Sequence, residues 1–226
     1  MSKGNKIVEN FQRPAKELVQ RFSRIPVANI DDCVGRTGAV DGRIRPMNRS
    51  RLLGTAFTIK VPEGDNLMFH KAMDMAQPGD VFVIDAGGSP SRSIFGELMV
   101  NYCRIRGIAG IVVDGSIRDS DAIGQMEDFP VYAIGVTPNG PYKNGPGEIN
   151  TPVTVGGIVV HPGDILVGDA DGVIVIRPED AESVADAAEA VIEKEEQIMR
   201  DILEKRSYVR PWVDQKIQEL GTEIVK

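Results

Sequence analysis

Apolar and polar positions recur with two different periods along this chain, and each change of period marks an element. Leu18, Val19 and Phe22 recur at helical spacing behind Pro14, a residue suited to a first helical turn, so a helix is predicted over 14–22. A second short helix is predicted over 29–34, ended by Gly35. After the turn-rich stretch 36–51, the Thr, Phe and Ile content of 54–61 predicts a strand, and 70–76 a short helix. Pro-Gly-Asp, followed by apolar residues and an aspartate, occurs twice, at 78–85 and at 162–169. In each copy Pro-Gly fits the central positions of a type II turn that leads into a strand. A Gly/Ser/Pro loop over 86–93, a helix over 94–106 ended by Gly107 and a continuously apolar strand over 108–114 complete a βαβ unit with a parallel strand pair. Residues 131–136 supply another strand. Residues 153–176 supply three short β runs, punctuated by Gly156-Gly157, Pro162-Gly163 and Asp171-Gly172.

From Pro178 the pattern is that of one long charged helix, with Glu179 and Asp180 placed where the helix dipole favours acids. Its apolar stripe runs Val184, Ala188, Val191, Ile198, Ile202, and Glu195 interrupts it. Beyond Ser207 a short tail carries Trp212, an anchor for the body or for a neighbouring subunit. The predicted fold class is α/β: a single layered β/β/α domain of the swivelling-domain kind, with a mixed sheet and flanking N- and C-terminal helices. Its predicted parts are an N-terminal helical segment (1–27), an α/β catalytic core (28–177), and a C-terminal helix and tail (178–226) that packs on a neighbouring subunit.

Charge narrows the functions such a fold could serve. Among 226 residues, 26 Lys and Arg stand against 33 Asp and Glu, a net charge of −7. The basic residues are scattered, so no face is built to grasp a phosphate backbone, and nucleic acid is excluded as a partner. No apolar run approaches the roughly 18–20 residues of a membrane span, and the first twelve residues hold no signal-peptide core. The expected protein is soluble and cytoplasmic, with no membrane partner. Cys33 and Cys103 are too few for a disulfide framework and lack CxxC spacing, and Cys103 reads as core. With His70 and His161 as the only histidines, a histidine-rich metal site is excluded as well. The 24 glycines set against 5% aromatic residues describe many tight turns around a core of Val, Ile, Leu and Ala.

Open α/β sheets bind ligands beyond the carboxyl ends of their strands, so loops 85–96 and 114–119 are the first places to look. The first runs into Gly96-Glu97-Leu98-Met99 at a helix start, where free N–H groups and the dipole suit an anion. The second packs Asp114, Arg118 and Asp119 into six residues, hard oxygen ligands beside a fixed cation, as a divalent metal with a carboxylate substrate requires. The same residues fit a plain structural role, in which Asp114 caps a turn and Arg118 and Asp119 make a surface pair of about 0–1 kcal/mol. His161 reads as structural, His70 as lying near the site-forming half, and the lone Asp169-x-Asp171-Gly172 as a weak calcium-loop match.

Taken in order, Asn29-Ile30-Asp31-Asp32, Gly54-Thr55-Ala56-Phe57-Thr58, Pro78-Gly79-Asp80, Gly96-Glu97-Leu98, Gly115-Ser116-Ile117-Arg118-Asp119 and Gly168-Asp169-Ala170-Asp171-Gly172-Val173 carry a resemblance. From about Ala28 to Arg200 the chain resembles the family of class II 4-hydroxy-4-methyl-2-oxoglutarate (and 4-carboxy-4-hydroxy-2-oxoadipate) aldolases and the regulator of ribonuclease activity A. The aldolase signature there is an acidic residue, twenty intervening residues, then Arg-Asp. Glu97 and Arg118-Asp119 meet it, with 98–117 between them.

The resemblance implies that Asp119 ligates Mg2+ or Mn2+ directly. Glu97, where those aldolases usually carry Asp, would hold metal-bound waters from one methylene further out. Arg118 would bind the pyruvyl end of the substrate and stabilise its enolate. Beyond Gly96, the backbone N–H groups of Leu98 and Met99 would bind the carboxylate, leaving both side chains to the core. A neighbouring subunit's C-terminal helix would add a glutamate, for which Glu195 is the first candidate and Glu196 the second; Glu195 equally fits a solvated edge of its stripe. The implied activity is cleavage of 4-hydroxy-2-oxo acids to pyruvate in a homotrimer or homohexamer, with oxaloacetate decarboxylation as a side activity. No lysine Schiff base is required. No suitably placed histidine is evident, so a metal-linked water or hydroxide is expected to take the 4-hydroxyl proton. The rival reading is a non-enzymatic regulator that binds a ribonuclease or helicase, a branch that does not retain the acid plus Arg-Asp set whole. A phosphotransfer domain using His161 lacks a helix-start histidine motif.

Overall fold

The central strands are apolar on both faces, the composition of a sheet that is covered on both sides. The computed structural model describes residues 4–225. Its first unit, which runs to Ala188, contains β1 (Asn5–Ile7), α1 (Lys16–Arg21), α2 (Val27–Cys33), β2 (Arg45–Pro46), β3 (Leu52–Lys60), α3 (Leu67–Met75), β4 (Asp80–Ser93), α4 (Glu97–Ile105) and β5 (Gly110–Ile117). It continues through α5 (Ser120–Gly124), β6 (Val131–Ala133), β7 (Gly135–Val136), β8 (Gly147–Ile149), β9 (Val153–Val155), β10 (Ile158–Val160), β11 (Ile165–Asp169) and β12 (Gly172–Ile176). Helix α6 (Ala181–Lys205) starts in that unit, and the second unit, from Glu189, adds α7 (Pro211–Glu219). Among the described residues no helix is long and apolar enough to cross a membrane.

Strands β3, β4, β5 and β6 pair in parallel in that order. Strands β8 and β11 pair antiparallel with β3, β12 with β11, and β2 with β6, so the sheet is mixed as predicted. Strands β9 and β10 form a separate hairpin. Alternate residues of one strand feed two cores. Val81 and Val83 of β4, with Val112 of β5, pack with Val153, Val155 and Val160 of the hairpin. Phe82, Ile84, Ile111 and Val113 pack with Phe69 of α3 and with Val100 and Cys103 of α4. Hairpin, sheet and helices are the three predicted β/β/α layers. Burial pushes the Cys103 thiol up to about 12, which keeps it an inert core residue.

Both Pro-Gly-Asp segments are closed turns of the expected kind. Gly79 and Gly163 have φ of +92° and +98°, and Asp80 and Asp164 donate their N–H to the carbonyls of Gln77 (3.0 Å) and His161 (3.1 Å). Each aspartate carboxylate then accepts the N–H of that same first residue, at 2.8 and 2.7 Å. An arginine neutralises each buried carboxylate: Arg13 reaches both oxygens of Asp80 at 2.7 Å, and Arg177 reaches those of Asp164 at 3.1 and 3.2 Å.

Other expectations are corrected. Residues 86–93 are not a loop: β4 continues to Ser93 and stays paired with β5 by slipping register between Asp85 and Ser89 and again between Ser89 and Ser93. Bulges absorb the Gly and Pro that would otherwise end a strand. Residues 153–176 hold four strands rather than three. The tail beyond Ser207 forms a helix with Pro211 in its first turn, and none of that helix is buried, Trp212 included. Along α6, Val184 and Ala188 are buried, while Val191, Ile198 and Ile202 are half-buried.

Candidate active site

Strands β4 and β5 end together, and their ends build the site. Ser93 pairs with Ser116, the Ile94 N–H donates to the Ser116 carbonyl (2.8 Å), and the Arg118 N–H donates to the Phe95 carbonyl (3.0 Å). Gly96 is thereby set against Asp119: a Cβ at position 96 would lie 2.2 Å from Asp119 Oδ2, so the approach requires glycine. Asp119 adopts left-handed backbone angles, φ 57° and ψ 39°, which Asp tolerates better than most residues. That turn aims its carboxylate at the start of α4, where Oδ2 accepts the Glu97 N–H at 3.0 Å. A carboxylate from a strand end thus caps a helix whose own N-cap, Gly96, has no side chain to do so. The first bond inside the helix runs from the Val100 N–H to the Gly96 carbonyl (3.2 Å), so the N–H groups of Leu98 and Met99 have no intrahelical acceptor.

Asp119 Oδ1 accepts no hydrogen bond from the described residues. The Arg118 side chain is 47% exposed, and its Nε lies 3.8 Å from Asp119 Oδ2, outside hydrogen-bond range. The two residues stand between two clefts. One, of about 350 Å³, is completed by Asn66, His70, Met99, Gly140 and Lys143. The other, of about 580 Å³, is lined by Ser120, Val136 and Thr137. A larger concavity of about 640 Å³ at Thr37, Gly157 and Arg177 brings no comparable set together, since Arg177 is engaged by Asp164.

Gly96, Leu98, Met99, Arg118 and Asp119 therefore meet in one cleft, and the exposed Glu97 touches Asp119 through its backbone. The Leu98 side chain is a correction: expected in the core, it is 84% exposed, because the buried face of α4 is Val100 and Cys103. Met99 is half-buried against the helix-side core. Asp114, close to Arg118 and Asp119 in sequence, has a structural role: Arg43 holds it at 2.9 and 3.1 Å, and the Gly156 N–H at 2.9 Å. Glu195 and Glu196 lie exposed on α6 in the second unit.

His70, which the sequence places near the site-forming half, stands in the cleft wall. It lies half-buried on α3, and burial first, the Lys143 charge second, hold its imidazole below the ordinary value of 6.5. It is therefore neutral at neutral pH. Asn66, 2% exposed, donates its Nδ2 to the Ile94 carbonyl (2.8 Å), while its buried Oδ1 receives no donor from the described residues. These residues escape a reading by motif because α3 and the segment 137–143 reach the cleft only through the fold; a histidine on a helix two elements before the motif was the one signal. Lys143→Ala is expected to raise the His70 pKa towards 6.5 without reaching it, since burial remains. With two histidines in the chain, an NMR titration resolves this, and an unmoved His70 would exclude the coupling. Between the folded value and 6.5 the unfolded chain binds more protons than the folded one, so stability falls as pH drops through that window, and falls less in the variant.

Among the described residues no three of His, Cys, Asp and Glu converge on a point. One carboxylate with an open oxygen, a second on the adjoining helix start and no imidazole or thiolate cluster is the donor chemistry of a hard ion. Such an ion keeps several waters and takes one or two protein carboxylates with substrate oxygens, so Mg2+ or Mn2+ fits and a closed zinc site does not.

Known proteins share this arrangement of elements. The sequence profile of the RraA-like family, described as Aldolase/RraA, matches residues 27–175. A Halalkalibacterium halodurans protein named "Putative 4-hydroxy-4-methyl-2-oxoglutarate aldolase" is 38% identical over 202 residues, which cover 89% of this chain and 96% of that one. Streptomyces coelicolor RraAS2, described as an unusual member of the RNase ES inhibitor RraA protein family, matches with a TM-score of 0.71 at 29% identity, over 81% of this chain and 97% of that one. The RNA-processing inhibitor RraA from Thermus thermophilis matches with a TM-score of 0.61 at 27% identity, over 67% and 92%. With the profile matching residues 27–175 and a relative aligned over nearly its full length, the chain belongs to the RraA-like, or Aldolase/RraA, family.

Proposed function

We propose that the protein is a cytoplasmic, divalent-metal-dependent lyase that cleaves 4-hydroxy-2-oxo acids of the 4-hydroxy-4-methyl-2-oxoglutarate type to pyruvate, with oxaloacetate decarboxylation as a side activity. The observation that carries this reading is the meeting, on one cleft, of Arg118 and Asp119 with the start of α4, where Asp119 Oδ1 and the N–H groups of Leu98 and Met99 have no partner among the described residues. The name of the 38%-identical relative points the same way.

Breaking the bond between C3 and C4 of a 2-oxo acid leaves an electron pair on the pyruvyl fragment, and the rate depends on how well that charge is received as an enolate. Mg2+ or Mn2+, held by Asp119 with Glu97 on its waters, would supply a Lewis acid at the keto oxygen. Arg118 adds a fixed cation beside it. The N–H groups of Leu98 and Met99 hold the carboxylate at the positive end of the α4 dipole. The C4 hydroxyl must lose its proton as the new carbonyl forms, and neutral His70 is a group of the cleft wall that can accept it. Lys143 offers a charge to a second carboxylate of the substrate. Loss of CO2 from oxaloacetate draws on the same electron sink.

Self-association as a trimer or hexamer is part of the proposal. The second unit exposes Met199, Leu203, Val209 and Trp212, apolar surface that a neighbouring copy would cover, and Glu195, then Glu196, are the residues it would lend. A panel of 4-hydroxy-2-oxo acids coupled to pyruvate detection, with Mg2+ or Mn2+ and with EDTA, tests the function. Metal-dependent pyruvate release is expected, and full activity in EDTA would exclude the mechanism. A second reading, a non-enzymatic inhibitor that binds a ribonuclease, is favoured by the likeness to RraA and RraAS2. It predicts no pyruvate from any member of the panel.

A further inference from the structure

The segment 137–143 brings Gly140 and Lys143 to the cleft, yet it contains no helix or strand, and its one strand-like contact is the bridge between Tyr142 and Asp65. Backbone without a ladder keeps one position only when other groups hold it. Arg92 is the side chain that does so. Its Nη1 donates to Asn139 Oδ1 (3.0 Å) and to the Gly140 carbonyl (2.8 Å), and its Nη2 donates to the Tyr142 hydroxyl (2.9 Å). The guanidinium carbon also lies 4.1 Å from the centroid of the Tyr142 ring. The stem reaches this position by crossing Gly64, where a Cβ would stand 2.5 Å from Arg92 Cδ. A Cβ on Gly140 would lie 3.5 Å from Arg118 Nη1, so the carbonyl that Arg92 grips belongs to the residue packed beside Arg118.

We infer that Arg92 is a positioning residue of the cleft: its guanidinium fixes 139–142 so that Gly140 covers Arg118 and Lys143 faces the far end of the substrate. The kinetic side of this rests on the proposed function, whereas the structural side rests on the geometry alone. The start of the segment has its own fastening, since the Ser93 N–H and Oγ both donate to the Asn139 carbonyl (2.8 and 3.0 Å). Tyr142 also keeps two backbone bonds, its N–H donating to the Gly64 carbonyl (2.7 Å) and its carbonyl accepting from the Asn66 N–H (3.0 Å), so removal of Arg92 loosens 140–142 around that bridge and leaves the sheet in place.

The test uses the full chain with Arg92→Ala, Arg92→Lys, Lys143→Ala and the Arg92→Ala/Lys143→Ala double variant. The Tyr142 amide, bonded to the Gly64 carbonyl (2.7 Å), is expected to exchange hydrogen at least about tenfold faster in Arg92→Ala, with β4 and β5 unchanged. KM for the hydroxy-oxo acid rises about tenfold, the size of a lost charge-assisted hydrogen bond, while kcat changes less than about threefold. In the Lys143→Ala background the Arg92→Ala effect on KM largely disappears, because one residue acts through the other. Arg92→Lys, which can keep one acceptor but not three, recovers part of the loss. Unchanged exchange at Tyr142, or additive effects of the two alanine substitutions, would overturn the inference. If the wild-type protein releases no pyruvate from any hydroxy-oxo acid, the functional reading fails, and the exchange measurement alone decides whether Arg92 holds the segment.

Discussion

Gly96→Ala is expected to cut kcat/KM for pyruvate release at least about 100-fold in a protein that still folds. The added methyl would lie 2.2 Å from Asp119 Oδ2 and 2.8 Å from Arg118 Cγ, distances that force both groups aside. Both side chains are partly exposed and can move, so the core is not disrupted. Gly96 itself has φ of −146°, extended backbone that alanine adopts without strain. A displacement of about 1 Å in a reacting constellation is enough for a loss of about 100-fold. Asp119 would also leave the Glu97 N–H, a helix cap of about 1 kcal/mol. Parallel kinetics and thermal melts check this. Wild-type kcat/KM in the variant would show that the close approach of positions 96 and 119 has no bearing on the reaction.

Asp119→Asn carries the larger expected effect. The amide keeps the size of the carboxylate, and its oxygen can still accept the Glu97 N–H, so the cap and the stability survive. What disappears is the negative charge that a hard divalent ion requires. A loss of about 1,000-fold or more in kcat/KM is expected, corresponding to about 4 kcal/mol of transition-state stabilisation, and excess Mg2+ does not restore it. Activity within about tenfold of wild type would remove Asp119 from the metal's ligand set.

Local signals were legible in the sequence wherever one segment decides the outcome alone. Both Pro-Gly-Asp turns follow from proline's fixed φ and a glycine with positive φ, and the βαβ unit follows from apolar runs of the right length around one helical period. The resemblance brought Gly96, Arg118 and Asp119 forward, and the fold sets these side by side. What escaped was whatever depends on three-dimensional neighbours. His70, Asn66 and Lys143 reach the cleft from α3 and from a segment without regular structure, so no spacing links them to the motif. The composition of 86–93 speaks for a loop, but pairing with β5 through two register shifts outweighs it. The resemblance gives Leu98 a backbone role and leaves its side chain to the core, whereas the helix phase turns that side chain outward. Asp114 fits a ligand or a structural residue by sequence, and its partners, Arg43 and the Gly156 N–H, which decide for the structural role, come from distant parts of the chain.

The central claim is that this cleft stabilises the enolate of pyruvate, and that claim can be tested without knowing the natural substrate. Pyruvate is incubated with the protein in D2O, and replacement of its methyl hydrogens is followed by NMR, with Mg2+, with EDTA, and in Asp119→Asn and Arg118→Ala. The expected result is rapid exchange that requires the metal and is lost in EDTA and in both variants. Exchange in the wild-type protein no faster than in buffer with Mg2+, or exchange undiminished by EDTA or by Asp119→Asn, would contradict it.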